Sequence, residues 1–255
     1  MSQAHTIRTA SFVLLAWLAL TPLAWAQTEL SPARVAEMRA EQAAPRYPVP
    51  FDPKNFDKFV GAYHFHPDSV MWVTHDGPHY FARVTGQVAI EEFPESQTKF
   101  FSNEARHQLS FDIDAGGHVT GLVLHQLGME RPMPRISTQA AKAIEDALMV
   151  RIRANTPSPS TEAALRHQIA ALEMGAFDTA GMSPPLGALV RSQAPAATQT
   201  FAQLGTLKSL TFKYVGPDGF DMYEAVFEHG QMDWMIWPLA DGKIKGMRYM
   251  PPGQP

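Results

Sequence analysis

Histidine is the residue type whose spacing most suggests chemistry in this chain. Seven of the ten histidines fall between positions 64 and 125. His64 and His66 alternate, so a β-strand would place both imidazoles on one face, as in the first half of a zinc or copper site. His75 and His79 flank a predicted turn and are the further candidate ligands. We therefore hypothesise a metal site built on His64 and His66. The alternative is that all four are ordinary surface and strand-end histidines.

A second candidate site is aromatic. Tyr223, Trp234, Trp237 and Tyr249 lie in neighbouring β-runs near the end of the chain. On the concave face of a curved sheet, such side chains can form an apolar pocket for a small ligand. The alternative is that they form core between the sheet and its helices. These four residues are the predicted ligand-binding set.

No complete catalytic motif accompanies either site. Ser96-Gln97-Thr98-Lys99 has the Ser-x-x-Lys spelling of penicillin-recognising enzymes. The surrounding residues read as a turn between strands, where positions three apart face opposite sides. The chain contains no cysteine, which excludes a thiol nucleophile and a thiolate zinc site. We predict no cofactor, and the sequence favours binding over catalysis.

The first 26 residues predict a secretory signal peptide. A polar start with Arg8 precedes an apolar run over 12–20, and Ala24-Trp25-Ala26 is a small-x-small cleavage site. The run is about nine residues, whereas a membrane-spanning helix needs about 20. We expect cleavage before Gln27 and a periplasmic or secreted product without a membrane span.

Composition excludes one class of partner and limits the architecture. With 21 Lys+Arg against 25 Asp+Glu, the net charge is −4, whereas nucleic-acid binding needs a basic surface. We therefore expect no nucleic-acid partner. A hydrophobic content of 45% supplies one large or two small cores.

The mature chain divides into three stretches. Residues 27–53 contain one short helix and a proline-rich linker. Residues 54–136 contain six or more short β-runs separated by turns, which predicts a small closed antiparallel β-barrel. Residues 137–255 place helices, one with Pro195 as a candidate break, before four β-runs. The predicted fold class is α+β with two domains, the second having helices packed on a curved antiparallel sheet.

The barrel stretch carries several anchors in a recognisable order: Phe59-Val60-Gly61-Ala62-Tyr63, Gly86-Gln87, Phe93-Pro94-Glu95-Ser96, Phe100-Phe101, Leu109-Ser110-Phe111 and Val119-Thr120-Gly121-Leu122-Val123-Leu124-His125-Gln126-Leu127-Gly128. They resemble the small β-barrel module at the C-terminus of serine hydrolases of the S12 peptidase and class C β-lactamase type. The resemblance implies a lipocalin-like barrel with an accessory role. In that family catalysis belongs to a separate preceding domain, which is not recognised in this sequence.

The last stretch resembles the helix-plus-curved-sheet modules of the NTF2-like or cystatin-like kind. The residues that carry this resemblance are 204–212, 216–223 and 241–244. It implies an α+β module and supplies no catalytic residues.

These observations predict an exported, non-catalytic accessory or binding protein of the bacterial cell envelope. Its expected partner is a small apolar ligand or an envelope protein. Two alternatives stay open. One is a regulator or helper of a separately encoded serine hydrolase, and the other is a metal-dependent enzyme that uses His64 and His66.

Overall fold

A computed structural model describes residues 31–253, which form an eight-stranded barrel followed by helices and a four-stranded sheet. The predicted signal peptide and its cleavage site before Gln27 lie outside the described residues. The α+β fold class with an N-terminal antiparallel barrel is confirmed.

The barrel is closed, and its strands follow one another in chain order. Their bounds are β1 Gly61–His66, β2 Ser69–Asp76, β3 His79–Val84, β4 Ile90–Pro94, β5 Lys99–Ser102, β6 His107–Ile113, β7 Val119–Gln126 and β8 Met129–Ile136. Pairing between β1 and β8 closes the barrel. Closure leaves no exposed sheet edge, which is how a meander of short strands avoids pairing with other chains.

Aromatic side chains fill one end of the barrel. Two 3₁₀ turns just before β1, Pro53–Asn55 and Asp57–Phe59, direct Phe56 and Phe59 into the core. Phe59 stacks on Phe111 with ring centroids 4.2 Å apart, and the two turns therefore plug this end.

The C-terminal part places its helices before its strands. Their bounds are α2 Thr138–Ala154, α3 Thr161–Glu173, α4 Pro184–Leu204, β9 Leu207–Val215, β10 Asp221–Phe227, β11 Gly230–Ile236 and β12 Met247–Met250. The antiparallel sheet has the order β12-β11-β10-β9. Leu165 and Ile169 of α3 and Phe201 of α4 share one core with Tyr223 and Trp234 of the sheet, so these helices cover one sheet face.

Pro195 does not break α4, which continues from Pro184 to Leu204. The predicted break of the helix at Pro195 is therefore wrong. Ala197 and Phe201 in the second half of α4 are buried. Their packing offsets the backbone hydrogen bond that Pro195 cannot donate.

One further helix, α1 (Pro32–Ala43), lies against both parts. Ser31 caps it by accepting a hydrogen bond from the N–H of Arg34 at 3.2 Å. Gln42 then accepts from the N–H of Gly128 at 2.6 Å and donates to the carbonyl of Met129 at 3.2 Å. These bonds attach α1 to the turn between β7 and β8.

The barrel and the C-terminal part meet through an apolar cluster, in which Ala141 of α2 packs with Ala62 and Val70 of the barrel, and through polar contacts. Arg151 of α2 pairs with Asp68 of the β1–β2 turn at 2.7 Å and lies 3.6 Å from Asp221 of β10. Gln87 of the barrel donates to Asp218 at 3.2 Å. These contacts place the end of β1 beside the C-terminal sheet.

Candidate functional site

A cleft of about 780 Å³ lies between the barrel and the C-terminal part. Its walls come from the end of β1, the start of β8, residues 179–191 at the start of α4 and residues 240–245 before β12. A cleft of this volume between two parts of a protein is a usual place for a small-molecule site.

His66 forms part of the buried wall of this cleft. His66 is only 4% exposed, and its imidazole stacks on the indole of Trp237 with ring centroids 5.7 Å apart. Burial, reinforced by the positive charge of Arg131, lowers the pKa of His66 to about 3. The imidazole is therefore neutral at physiological pH.

Arg131 lies beside His66 at the start of β8. Its Nη1 is 3.3 Å from Nε2 of His66, and its guanidinium lies 4.8 Å from the ring centroid of Phe65. Because arginine only donates, Nε2 is the acceptor, and the single proton of the neutral ring is on Nδ1. Within the described residues, Nδ1 has no hydrogen-bond partner, so it is a buried donor without an acceptor.

Three further cationic side chains line the cleft. Lys245 pairs with the exposed Asp241 at 3.3 Å, and Lys243 donates to a backbone carbonyl at 2.6 Å. Arg191 of α4 donates to Thr179 at 3.0 Å. The cleft is therefore more cationic than the rest of this acidic chain.

The start of α4 also faces the cleft. Pro184 and Pro185 occupy its first positions and have no N–H, and the side chain of Ser183 makes no capping hydrogen bond. The helix still presents the positive end of its dipole. Leu186 is the first residue of α4 that has a backbone N–H.

Glu130, another cleft residue, is turned towards the outer face of the barrel. Its carboxylate lies 3.4 Å from Nδ1 of His125, whose Nε2 is 2.9 Å from the hydroxyl of Ser110. Ser, His and Glu occur here in the order of a catalytic triad. Ser110 lies within β6, paired on both sides with β5 and β7, so the neighbouring N–H groups serve the sheet rather than an oxyanion. We assign no catalytic role to this group.

The four histidines predicted as metal ligands do not come together. His64 and His66 both line the cleft. His66 pairs with Ser69 at the start of β2, and His75 lies six residues further along that strand, about 20 Å away at 3.3 Å per residue. His79 follows on β3, at the same distant end.

The two distant histidines have carboxylate partners instead. His75 is 2.9 Å from Asp57, and His79 is 2.7 Å from Glu91. Among residues 31–253, no group of three or more His, Asp or Glu side chains is arranged to hold a metal ion.

The four predicted ligand-binding aromatics occupy two different faces of the sheet. Tyr223 and Trp234 are 0% exposed, and Tyr249 packs on Trp234 with centroids 5.2 Å apart. These three belong to the core beneath α3 and α4. Trp237 lies just beyond β11 on the opposite face, where it contacts His66. Only Trp237 of the four is thus beside the cleft wall.

Sequence reasoning missed Arg131. Arg131 lies opposite Leu124 of β7, and Met133 lies opposite Leu122. Both leucines belong to the barrel core, so Arg131 and Met133 lie on the inward face of β8. The alternation over 129–136 carried this signal, because a charged residue at an inward position of a barrel strand is unusual. Pro132 and Pro134 obscured it, since prolines within a run argue against a strand.

Comparison with known proteins gives a family match for the barrel residues. Residues 45–140 match the model of a family described as "Domain of unknown function (DUF3471)". The match covers β1 to β8. No curated protein matches the chain. The residues that match DUF3471 form one wall of the cleft. The opposite wall, from α4 and residues 240–245, lies outside the matched residues.

Within the described part of the chain, no helix combines the length and apolar character needed to cross a membrane.

Proposed function

We propose that this chain is an exported, non-enzymatic protein of the bacterial cell envelope that binds a small molecule in the cleft between its barrel and its C-terminal part. The observation that carries this proposal is the guanidinium of Arg131, which lines the cleft and forms no ion pair with a carboxylate within the described residues. Partly buried charges are normally paired. An unpaired guanidinium on the wall of an open cleft supports a bound molecule as its partner.

The resemblance of the barrel supports a binding role rather than a catalytic one. The match to DUF3471 over residues 45–140 includes residues 59–128, which carry the resemblance to the accessory module of S12 peptidases and class C β-lactamases. We propose that the barrel is related to their C-terminal accessory module. In that family the module accompanies a separate catalytic domain.

Export rests on the predicted signal peptide. N-terminal sequencing of the protein from a periplasmic fraction tests it, and we expect the first residue to be Gln27. An N-terminus at Met1 in the soluble cell interior would contradict export.

Native mass spectrometry of the chain purified from its periplasm, without a metal-binding tag, tests ligand binding. Ala180 is exposed and lines the cleft, so Ala180→Trp places a bulky ring in it. Ala170 is an exposed position on α3 away from the cleft, so Ala170→Trp is the matched control. We expect a bound small molecule on the wild type and on the control, and its loss from Ala180→Trp.

Two results would contradict the proposal. A bound molecule that persists on Ala180→Trp would place the site elsewhere. A stoichiometric transition metal that is lost on replacing His64 and His66 with alanine would favour the metal-dependent alternative.

A further inference from the structure

We infer that the ligand of this cleft is an organic anion, with a carboxylate or phosphate group held by Arg131 and an apolar body against the proline-rich wall. This inference rests on the proposed function, because it concerns the same cleft. It adds a charged group to the small apolar ligand that the sequence predicts.

Arg131 is the first argument for an anion. Its neighbours in the structure are an imidazole nitrogen at 3.3 Å and an aromatic ring at 4.8 Å, and within the described residues no carboxylate forms an ion pair with it. Partly buried charges are normally paired, because an unpaired one has lost water without gaining a counterion. A guanidinium presents two parallel N–H groups to a carboxylate or phosphate, so an anionic ligand would supply the missing partner.

His66 is the second argument. Its neutral imidazole brings no negative charge to Arg131, and its Nε2 already accepts from the guanidinium. Arg131 and His66 therefore offer a ligand the remaining guanidinium N–H groups and no acceptor. A ligand rich in acceptor oxygens matches this pair, whereas an ammonium or amide N–H group does not.

The surrounding charges favour the same sign. Lys243, Lys245 and the start of α4 face the cleft and make its potential positive. The carboxylate of Asp241 is paired with Lys245 and its side chain is 89% exposed, so it opposes this potential only weakly. Glu130 is turned to His125.

The remaining wall accounts for the apolar body. Pro67, Pro132, Pro184 and Pro185 line the cleft together with Met182 and Leu186. Proline has no N–H and a rigid ring, so this wall offers apolar surface with few hydrogen bonds.

Isothermal titration calorimetry with three probes that share a phenyl ring tests the inference. Benzoate carries a carboxylate, phenyl phosphate carries a phosphate, and benzamide is the neutral counterpart. The proteins are the mature chain and its Arg131→Met, Arg248→Met and Ala180→Trp variants. Arg248 is exposed on β12, so R248M removes one positive charge away from the cleft.

We expect at least one of the two anions to bind the wild type at least about tenfold more tightly than benzamide. We expect R131M to weaken the affinity for that anion by about tenfold or more. R248M leaves this affinity unchanged, and A180W abolishes binding of the anion. The anion that binds more tightly identifies the group, carboxylate or phosphate.

The outcomes separate this inference from the proposed function. If benzamide binds as tightly as both anions, or R131M binds the anion as the wild type does, the ligand is not held as an anion, and binding in the cleft still stands through A180W. If no probe binds, the anion inference is overturned, and native mass spectrometry still decides the proposed function. If A180W keeps anion binding, both are overturned.

Thermal unfolding distinguishes a binding role of Arg131 from a structural one. Because Arg131 has no carboxylate partner within the described residues, R131M removes a poorly compensated charge. We expect its Tm without ligand to equal or exceed that of R248M. A Tm several degrees below that of R248M, with anion binding unchanged, would mean that Arg131 serves the fold.

Discussion

The imidazole of His66 stacks on the indole of Trp237, with centroids 5.7 Å apart and ring planes 20° apart. One residue ends β1 of the barrel, and the other follows β11 of the C-terminal sheet. The stack joins the two parts beside the cleft. It also fixes the imidazole that accepts the hydrogen bond of Arg131.

The stability of the protein in acid should depend on His66. Its pKa is about 3 in the folded chain, against about 6.5 when exposed. Between these values the unfolded chain binds the proton and the folded chain does not. Stability therefore falls as pH falls, by up to about 1.4 kcal/mol for each pH unit.

Replacing His66 with phenylalanine keeps a ring on Trp237 and removes this titration. We expect His66→Phe to show a shallower loss of unfolding free energy between about pH 6.5 and pH 4 than the wild type. Urea unfolding at several pH values measures it. His118 is exposed, so His118→Phe should keep the wild-type slope. Equal slopes for H66F and the wild type would contradict the assignment.

A buried pair inside the barrel gives a second prediction. His107 and Glu92 are 7% and 3% exposed, and Nε2 of His107 lies 2.6 Å from the carboxylate of Glu92. His107→Leu leaves the buried carboxylate without this hydrogen bond, which should cost about 2–4 kcal/mol. The double variant Glu92→Leu with His107→Leu should recover part of that loss, because no polar group is left unpaired. A double variant whose loss is the sum of both single losses would show that the two residues act independently.

Asp221 gives a third prediction, at the junction of the two parts. It is 0% exposed and accepts hydrogen bonds from the N–H of Ser158 at 2.8 Å and the hydroxyl of Thr161 at 2.6 Å. Asp221→Ala leaves the N–H of Ser158 without this acceptor, whereas the hydroxyl of Thr161 can still donate to the carbonyl of Ser158 at 2.9 Å. The unfolding free energy should therefore fall by about 1–3 kcal/mol. Asp146 is exposed on α2, and Asp146→Ala should change it by less than about 0.5 kcal/mol. Similar values for the two variants would rule out a structural role for this network.

Pro195 gives a fourth prediction. It lies inside α4 and is exposed. Pro195→Ala restores a backbone N–H to the helix, so we expect the unfolding free energy to rise by about 1 kcal/mol or more. Pro185→Ala is the control, because a proline in the first turn lacks an N–H that the helix would not use. A thermal midpoint that does not rise in the Pro195 variant would mean that α4 is adapted to its proline.

The fold could be predicted from the sequence because its signals are local. Asp76-Gly77 is a dipeptide typical of tight hairpins, and Gly77 adopts a φ of +56° at the turn between β2 and β3. Helix starts carry local signals as well: Ser137 is a residue type typical of N-caps, and its side chain accepts from the N–H of Ala140 at 3.1 Å. Pro195 was harder to judge, since tertiary packing decides whether a proline ends a helix.

The candidate site could be predicted only in part, because closure of the barrel decides which residues meet. His66 and Trp237 were each singled out, one as a metal ligand and one as a pocket residue, but their contact spans 171 positions of the chain. Trp234 and Trp237 are three positions apart in sequence, yet they lie on opposite faces of the sheet, as strand alternation requires. Arg131 reaches His66 only because β8 returns near the end of β1.

The most direct test of ligand binding in the cleft is the indole N–H spectrum of the mature chain. Beyond residue 27 its tryptophans are Trp72, Trp234 and Trp237. Trp72 is bonded to Glu145 at 3.1 Å, and Trp234 lies in the core, so both are internal controls. When benzoate or phenyl phosphate is added to the ¹⁵N-labelled protein, the Trp237 resonance should shift. The other two should stay in place, and Ala180→Trp should remove the shift. A saturating shift of Trp72 or Trp234 with Trp237 unchanged would place the ligand outside the cleft and contradict the account.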